Sequence, residues 1–94
     1  MLKHNSYFDG LVQSVGFERN QQRATVGVIA PGEYRFNTAA AERMTVISGV
    51  LEARLDTSTW HRYPAGTAFE VAANNVFDVR APEGPAAYLC EFLG

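Results

Sequence analysis

The chain reads as an all-β domain on three grounds. Apolar residues alternate or cluster in short runs, turn residues interrupt them every eight to twelve positions, and no stretch has helical length and period. The runs that predict strands are Leu11 to Phe17, Arg23 to Ile29, Glu33 to Asn37, Met44 to Ser48, Val50 to Leu55, Thr67 to Val71, Val76 to Arg80 and Ala86 to Phe92, with Trp60 to Tyr63 as a ninth candidate. Between them stand Asn20-Gln21-Gln22, Pro31-Gly32, Ser48-Gly49, Asp56-Thr57-Ser58, Pro64-Ala65-Gly66, Asn74-Asn75 and Pro82-Glu83-Gly84-Pro85, each able to reverse the chain. Thr38 to Arg43 holds three consecutive alanines but is too short for a helix that stands alone, so it reads as a connecting turn. Eight or nine strands in 94 residues leave no room for a helical layer, and the sheet must bury itself as a sandwich or a barrel.

Length and composition bound the rest. Ninety-four residues support one core, and we read residues 1–94 as one domain without linker, repeat or low-complexity tract. A hydrophobic share of 47% with 19% charged residues is globular, which excludes disorder as the main state. Eight basic against ten acidic side chains give a net charge of −2, so neither nucleic acid nor an anionic membrane surface is an expected partner. The single cysteine, Cys90, has no internal disulfide partner and cannot build a Cys-rich zinc site, which points to a reducing compartment. The longest run without a charged side chain, Ala24 to Gly32, is nine residues, far short of a membrane span, and Lys3 to Ser6 interrupts any signal-peptide pattern. A cytoplasmic location is the expectation.

Two stretches have the spacing of a known pair of motifs. Glu42 is followed by six residues and Gly49, with Phe36 and Thr38 upstream where a His-x-His would stand. From Gly66, a second pattern puts Ala72 at a proline position, Asn74 at a glycine position and Phe77 at a histidine position. These spacings resemble the cupin signatures, and they imply a small cupin-type β-barrel, the double-stranded β-helix or jelly roll. A benzene ring donates nothing to a metal, so Phe36 and Phe77 are expected to fill the lumen where cupins hold an ion, and no metal site is expected. His4 and His61 lie outside the motif positions and read as surface or loop residues.

At a finer level nearly the whole chain is similar to the very small cupins of the pyrimidine/purine nucleoside phosphorylase family. The similarity rests on Asn5-Ser6-Tyr7-Phe8-Asp9-Gly10, Ser14-Val15-Gly16-Phe17, Arg23-Ala24-Thr25-Val26-Gly27-Val28, Gly32-Glu33-Tyr34, Met44-Thr45-Val46-Ile47-Ser48-Gly49 and Tyr88-Leu89-Cys90. Ala72-Ala73 departs from an expected Pro-Gly, and Gly94 extends the C-terminus. The resemblance implies phosphate-dependent cleavage of adenosine, guanosine, inosine, xanthosine, uridine, cytidine and thymidine to a free base and a sugar 1-phosphate. Inorganic phosphate is then a co-substrate, and no cofactor is implied.

Such a reaction passes through a ribosyl cation-like state, so it needs donors for phosphate, acceptors for sugar hydroxyls and help for the departing base. For phosphate the candidate is Arg23, which opens a strand whose other face, Ala24, Val26 and Val28, is the apolar one. Arg35 and Arg43 alternate with Phe36 and Met44, which turns them outward. Glu42 is the first choice for the ribose hydroxyls and Glu33, beside Tyr34, the second; the other reading of Glu42 is a buried ion pair with Arg43 or another arginine. Thr38 and Ser48 could add hydroxyl contacts, although Ser48 also reads as the turn residue before Gly49. Phe77 and Tyr88 are candidates for the wall on which a base stacks, with the Tyr88 hydroxyl serving the leaving base and Tyr34 and Phe36 completing the set. Aromatic residues on alternating strands are also core residues, and Cys90, two positions after Tyr88, reads as packing. Tyr7-Phe8 is placed to cover a barrel opening or a partner's edge. A homodimer is expected for so small a domain. The competing reading is a non-catalytic binding or dimerisation module that lost its metal ligands.

Overall fold

The computed structural model describes residues 1–55 and 58–94. It contains ten strands: β1 Lys3–Tyr7, β2 Val12–Arg19, β3 Gln22–Ile29, β4 Gly32–Asn37, β5 Glu42–Ser48, β6 Val50–Leu55, β7 His61–Pro64, β8 Ala68–Val71, β9 Val76–Ala81 and β10 Ala86–Phe92. Every pairing is antiparallel, and the strands form a six-stranded sheet in the order β1-β2-β3-β10-β5-β8 and a four-stranded sheet in the order β4-β9-β6-β7. The architecture is all-β and of the cupin or jelly-roll kind, with the two sheets facing each other rather than closing into one hydrogen-bonded barrel. No helix is long and apolar enough to cross a membrane among the described residues.

The strand readings hold with three adjustments. β1 was not expected, because Lys3-His4-Asn5-Ser6-Tyr7 has no apolar alternation; it pairs only with β2, as an edge strand whose side chains are mostly exposed. β5 begins at Glu42, two residues inside the expected connecting turn, because Glu42 and Arg43 pair with Val71 and Glu70 on one side and with Phe92 and Glu91 on the other. The ninth candidate becomes β7, one position later than read. The expected turn at 56–58 falls mostly outside the described residues; Ser58 N–H donates to the Leu55 carbonyl at 2.9 Å. Asn20 and Gln21, at φ 54° and 64°, make the tight reversal between β2 and β3.

Alternation sets the core. Val12, Ile29, Val46, Leu51, Val71 and Val79 are fully buried between the sheets, each worth about 1.5–3 kcal/mol relative to exposure. Gly49 turns β5 into β6 at φ 81°, where a Cβ would meet the Pro85 carbonyl oxygen at 2.9 Å. Two of the apolar residues of β3 prove to lie on the outside: Val26 and Val28 are exposed on the face that also carries the buried Ala24, whereas Thr25, Gly27 and Ile29 face the opposite sheet. Arg23 shares the parity of Thr25 and therefore belongs to the inner face, at its open edge.

Candidate active site

Toward one end of the sandwich the core gives way to a cavity of about 570 Å³. The six-stranded sheet supplies Glu42 and Met44 from β5, Tyr88, Cys90 and Phe92 from β10, Thr25 from β3, Ser14 from β2 and Tyr7 from β1. Arg35, Phe36 and Asn37 from β4 and Phe77 from β9 close it from the four-stranded sheet, with Arg35 at the rim and paired to Asp78 at 2.9 Å. Register explains the convergence: Cys90 pairs with Thr25 on one side and Met44 on the other, and Phe92 pairs with Glu42, so inward residues of three adjacent strands form contiguous rows.

The walls are aromatic. Phe36 and Phe77 stack with centroids 5.7 Å apart. Phe8 covers them from the β1–β2 turn, 5.6 Å from Phe36 in an edge-on arrangement and 5.1 Å from Tyr34. Phe8 and Asp9 hold φ values of 54° and 56° in that turn, a left-handed conformation that costs an ordinary residue about 1 kcal/mol. Positions 36 and 77, occupied by histidines in metal-binding cupins, thus face each other as rings with Glu42 beside them.

Glu42 is half-buried. Its neighbours do not neutralise it: Arg43 turns to the outer face and gives two hydrogen bonds to Glu70, at 3.0 and 2.8 Å, and among the described residues Glu42 has no ion-pair partner. The Cys90 thiol donates to Glu42 Oε1 at 3.4 Å. Burial raises the Glu42 pKa above the ordinary carboxylate value, and the thiol hydrogen bond offsets part of that rise. Burial and the Glu42 carboxylate likewise push the Cys90 thiol up, so it stays protonated and acts as a donor rather than a thiolate.

Tyr88 lies on a bare stretch of backbone. A Cβ at Gly27 would come within 2.5 Å of its Cζ and hydroxyl, so the missing side chain on β3 creates the groove that the phenol occupies. Burial pushes the Tyr88 pKa up to about 12, with the Ser14 hydroxyl working in the opposite sense. At neutral pH Tyr88 is a hydrogen-bond donor.

Of the residues singled out from sequence, Glu42, Phe36, Phe77 and Tyr88 meet in this cavity. Arg23 lines a neighbouring depression of about 460 Å³, separated by Tyr7, Thr25 and Phe92, which line both. The others are engaged elsewhere. Glu33 lies on the outer face of the four-stranded sheet, 4.0 Å from Arg54. The Tyr34 hydroxyl donates to the carbonyls of Ala30 and Pro31. Thr38 is buried, donating to the Ala72 carbonyl at 2.7 Å and accepting from Asn75 N–H at 3.0 Å, so it ties two loops together. Ser48 is exposed at the far end of β5. Ser14, Thr25 and Phe92 were not anticipated as lining residues; their parity with Glu42 and Tyr88 is readable only once the register is known. Among the described residues no three His, Cys, Asp or Glu side chains gather as a metal-ligand cluster.

A family model described as pyrimidine/purine nucleoside phosphorylase matches residues 2–92. The chain belongs to that family. A pyrimidine/purine nucleoside phosphorylase of Sorangium cellulosum is 66% identical over 94 residues, covering 99% of this chain and 100% of that one. A crystal structure of a protein of unknown function from Vibrio parahaemolyticus superimposes with a TM-score of 0.94 at 44% identity, covering 99% of each chain. More distantly, the hydroxypropylphosphonic acid epoxidase of S. wedmorenis matches with a TM-score of 0.82 at 12% identity over 98% of this chain and 55% of that one, a likeness of fold alone. The phosphorylase family is thus set on the same scaffold as an enzyme of different chemistry.

Proposed function

We propose that the protein cleaves purine and pyrimidine nucleosides with phosphate, and that the cavity around Glu42 holds the nucleoside. The observation that carries this reading is a half-buried carboxylate without a cation partner among the described residues, set among aromatic walls in a chain of the phosphorylase family. A buried carboxylate in that state costs stability unless a ligand supplies donors, and the paired hydroxyls of a ribose supply two. Phe36, partly buried and backed by the core ring of Phe77, offers a face on which any base can stack, which suits adenosine, guanosine, inosine, xanthosine, uridine, cytidine and thymidine alike.

In the reaction an oxygen of hydrogen phosphate forms a bond to C1′ as the C1′–N bond breaks. The bonding pair goes to the base nitrogen, and the proton of hydrogen phosphate ends on the base. Glu42 accepts the ribose hydroxyls and its charge favours the cationic sugar, while the Tyr88 hydroxyl donates a hydrogen bond to the base as charge develops there. Arg23 serves phosphate. None of these roles calls for a metal or an organic cofactor.

The test is base release from uridine and adenosine by the purified protein, with phosphate, without it, and with phosphate plus a chelator. Phosphate-dependent, chelator-insensitive release with ribose 1-phosphate formed is the expected result. Release without phosphate would make the protein a hydrolase, and no release from folded protein would leave a binding module.

The same reading includes a homodimer working in the cytoplasm. Val15, Val26, Val28 and Ile47 form an exposed apolar patch on the outer face of the six-stranded sheet, and a second copy covering it would bury what a small domain leaves exposed. Sedimentation equilibrium at the mass of one chain would overturn that assembly.

A further inference from the structure

The reaction requires an anion site, and the distribution of the cations narrows where it lies. Arg35, Arg43, Arg54, Arg62 and Arg80 each sit within ion-pair distance of a carboxylate, including Arg35, which lines the rim of the nucleoside cavity but is held by Asp78. Among the described residues, Lys3, Arg19 and Arg23 do not. Lys3 and Arg23 line the same depression beside the nucleoside cavity, and Arg19 lines neither.

Strand register explains why these two line one depression. Lys3 pairs with Gly16 and Gly16 with Thr25, so Lys3 stands two strand spacings, about 10 Å, from Thr25 on the inner face. Gly16 has no side chain to separate them. Arg23 lies two residues from Thr25 on the same face, with its guanidinium carbon over the Phe92 ring, 5.2 Å from the centroid. Phe92 pairs with Glu42, so the depression opens directly beside the proposed sugar site. Glu18, opposite Arg23 in register, lines the same depression, forms no ion pair among the described residues and works against any bound anion.

We infer that Lys3 of β1 and Arg23 of β3 together form the phosphate subsite, with Thr25 and Phe92 joining it to the nucleoside cavity. The inference deepens the phosphorylase reading and assigns a binding role to the edge strand β1. It takes inorganic phosphate in one direction and the phosphoryl group of a sugar 1-phosphate in the other.

Phosphate binding by calorimetry without nucleoside, and the phosphate and uridine KM values by kinetics, are measured for the full chain and for Lys3→Gln, Arg23→Gln and Glu18→Gln. Each cation variant is expected to weaken phosphate binding and raise the phosphate KM about tenfold with the uridine KM unchanged, and Glu18→Gln is expected to tighten both. Phosphate KM values unaltered in both cation variants of an active enzyme would overturn the subsite and leave phosphorolysis standing. Phosphate binding that Lys3→Gln and Arg23→Gln abolish in a protein without phosphorylase activity would uphold the subsite and remove the reading on which it was built. Absence of phosphate binding to the unaltered chain at millimolar concentration would also overturn the subsite.

Discussion

The outer face of the four-stranded sheet and the inner cavity use charge in opposite ways. On the outer face the side chains alternate in sign both along and across the strands: Glu33, Arg80, Glu52 and Arg62 form one row, and Arg35, Asp78 and Arg54 the next. Arg54 and Arg80 also lie over the Trp60 ring, at 4.6 and 3.9 Å from its centroid. Asp78 is the buried centre of that lattice, taking hydrogen bonds from Arg35 and Arg54 that hold its carboxyl below the ordinary value. In the cavity, Glu42 has one thiol for a partner and a pKa raised by burial. Both carboxylates sit on interior strands of their sheets; Asp78 is consumed by ion pairs, and Glu42 has no cation partner among the described residues.

The variant that tests this contrast most severely is Glu42→Gln. Turnover is expected to fall about a hundredfold or more while the fold persists, measured by base release and by circular dichroism. The stability effect has the opposite sign. Because the folded pKa of Glu42 lies above its unfolded value, the neutral acid is favoured in the fold, and that contribution is fully present at acid pH and lost as pH rises through the folded pKa. Glu42→Gln should therefore melt higher than the parent at pH 8 and converge with it at pH 4; a full-activity variant with an unchanged melting profile would take Glu42 out of the site.

Asp78→Asn is expected to act in reverse. Its folded pKa lies below the unfolded value, so its contribution is present above the ordinary carboxylate range and lost as pH falls. At neutral pH the variant should melt roughly 5–10 °C lower with turnover retained, by thermal unfolding and the same assay. Glu70→Gln, whose pair with Arg43 is exposed on both sides, should shift melting by no more than about 3 °C.

Much of this division was legible in the alternation of residue types. Nearly every strand and the outward turn of Arg35 and Arg43 follow from a period of two, and the motif spacing brought Phe36, Glu42 and Phe77 together before any geometry was known. Residues whose role depends on pairing were not legible. Edge strand β1 carries no apolar signal, so neither its existence nor the place of Lys3 opposite Gly16 could be read. The apolar side of β3 faces outward, where Val26 and Val28 lie exposed, and the inner side is disguised by a glycine and a threonine. Thr38 and Tyr34 were misleading for a related reason: hydroxyls suited to a ligand are spent on loop carbonyls that only the folded chain brings near.

The groove at Gly27 binds two positions into one heritable unit. Any side chain at residue 27 would force the Tyr88 ring out of its present place, whereas trimming Tyr88 makes no clash at position 27. Once a methyl group has settled on β3, a phenol at position 88 can return to its present place only if the glycine is restored. A lineage stepping one substitution at a time can thus abandon the present placement of the Tyr88 hydroxyl along an open route but recovers it only in a fixed order, a ratchet set by a Cβ that would stand 2.5 Å from the phenol.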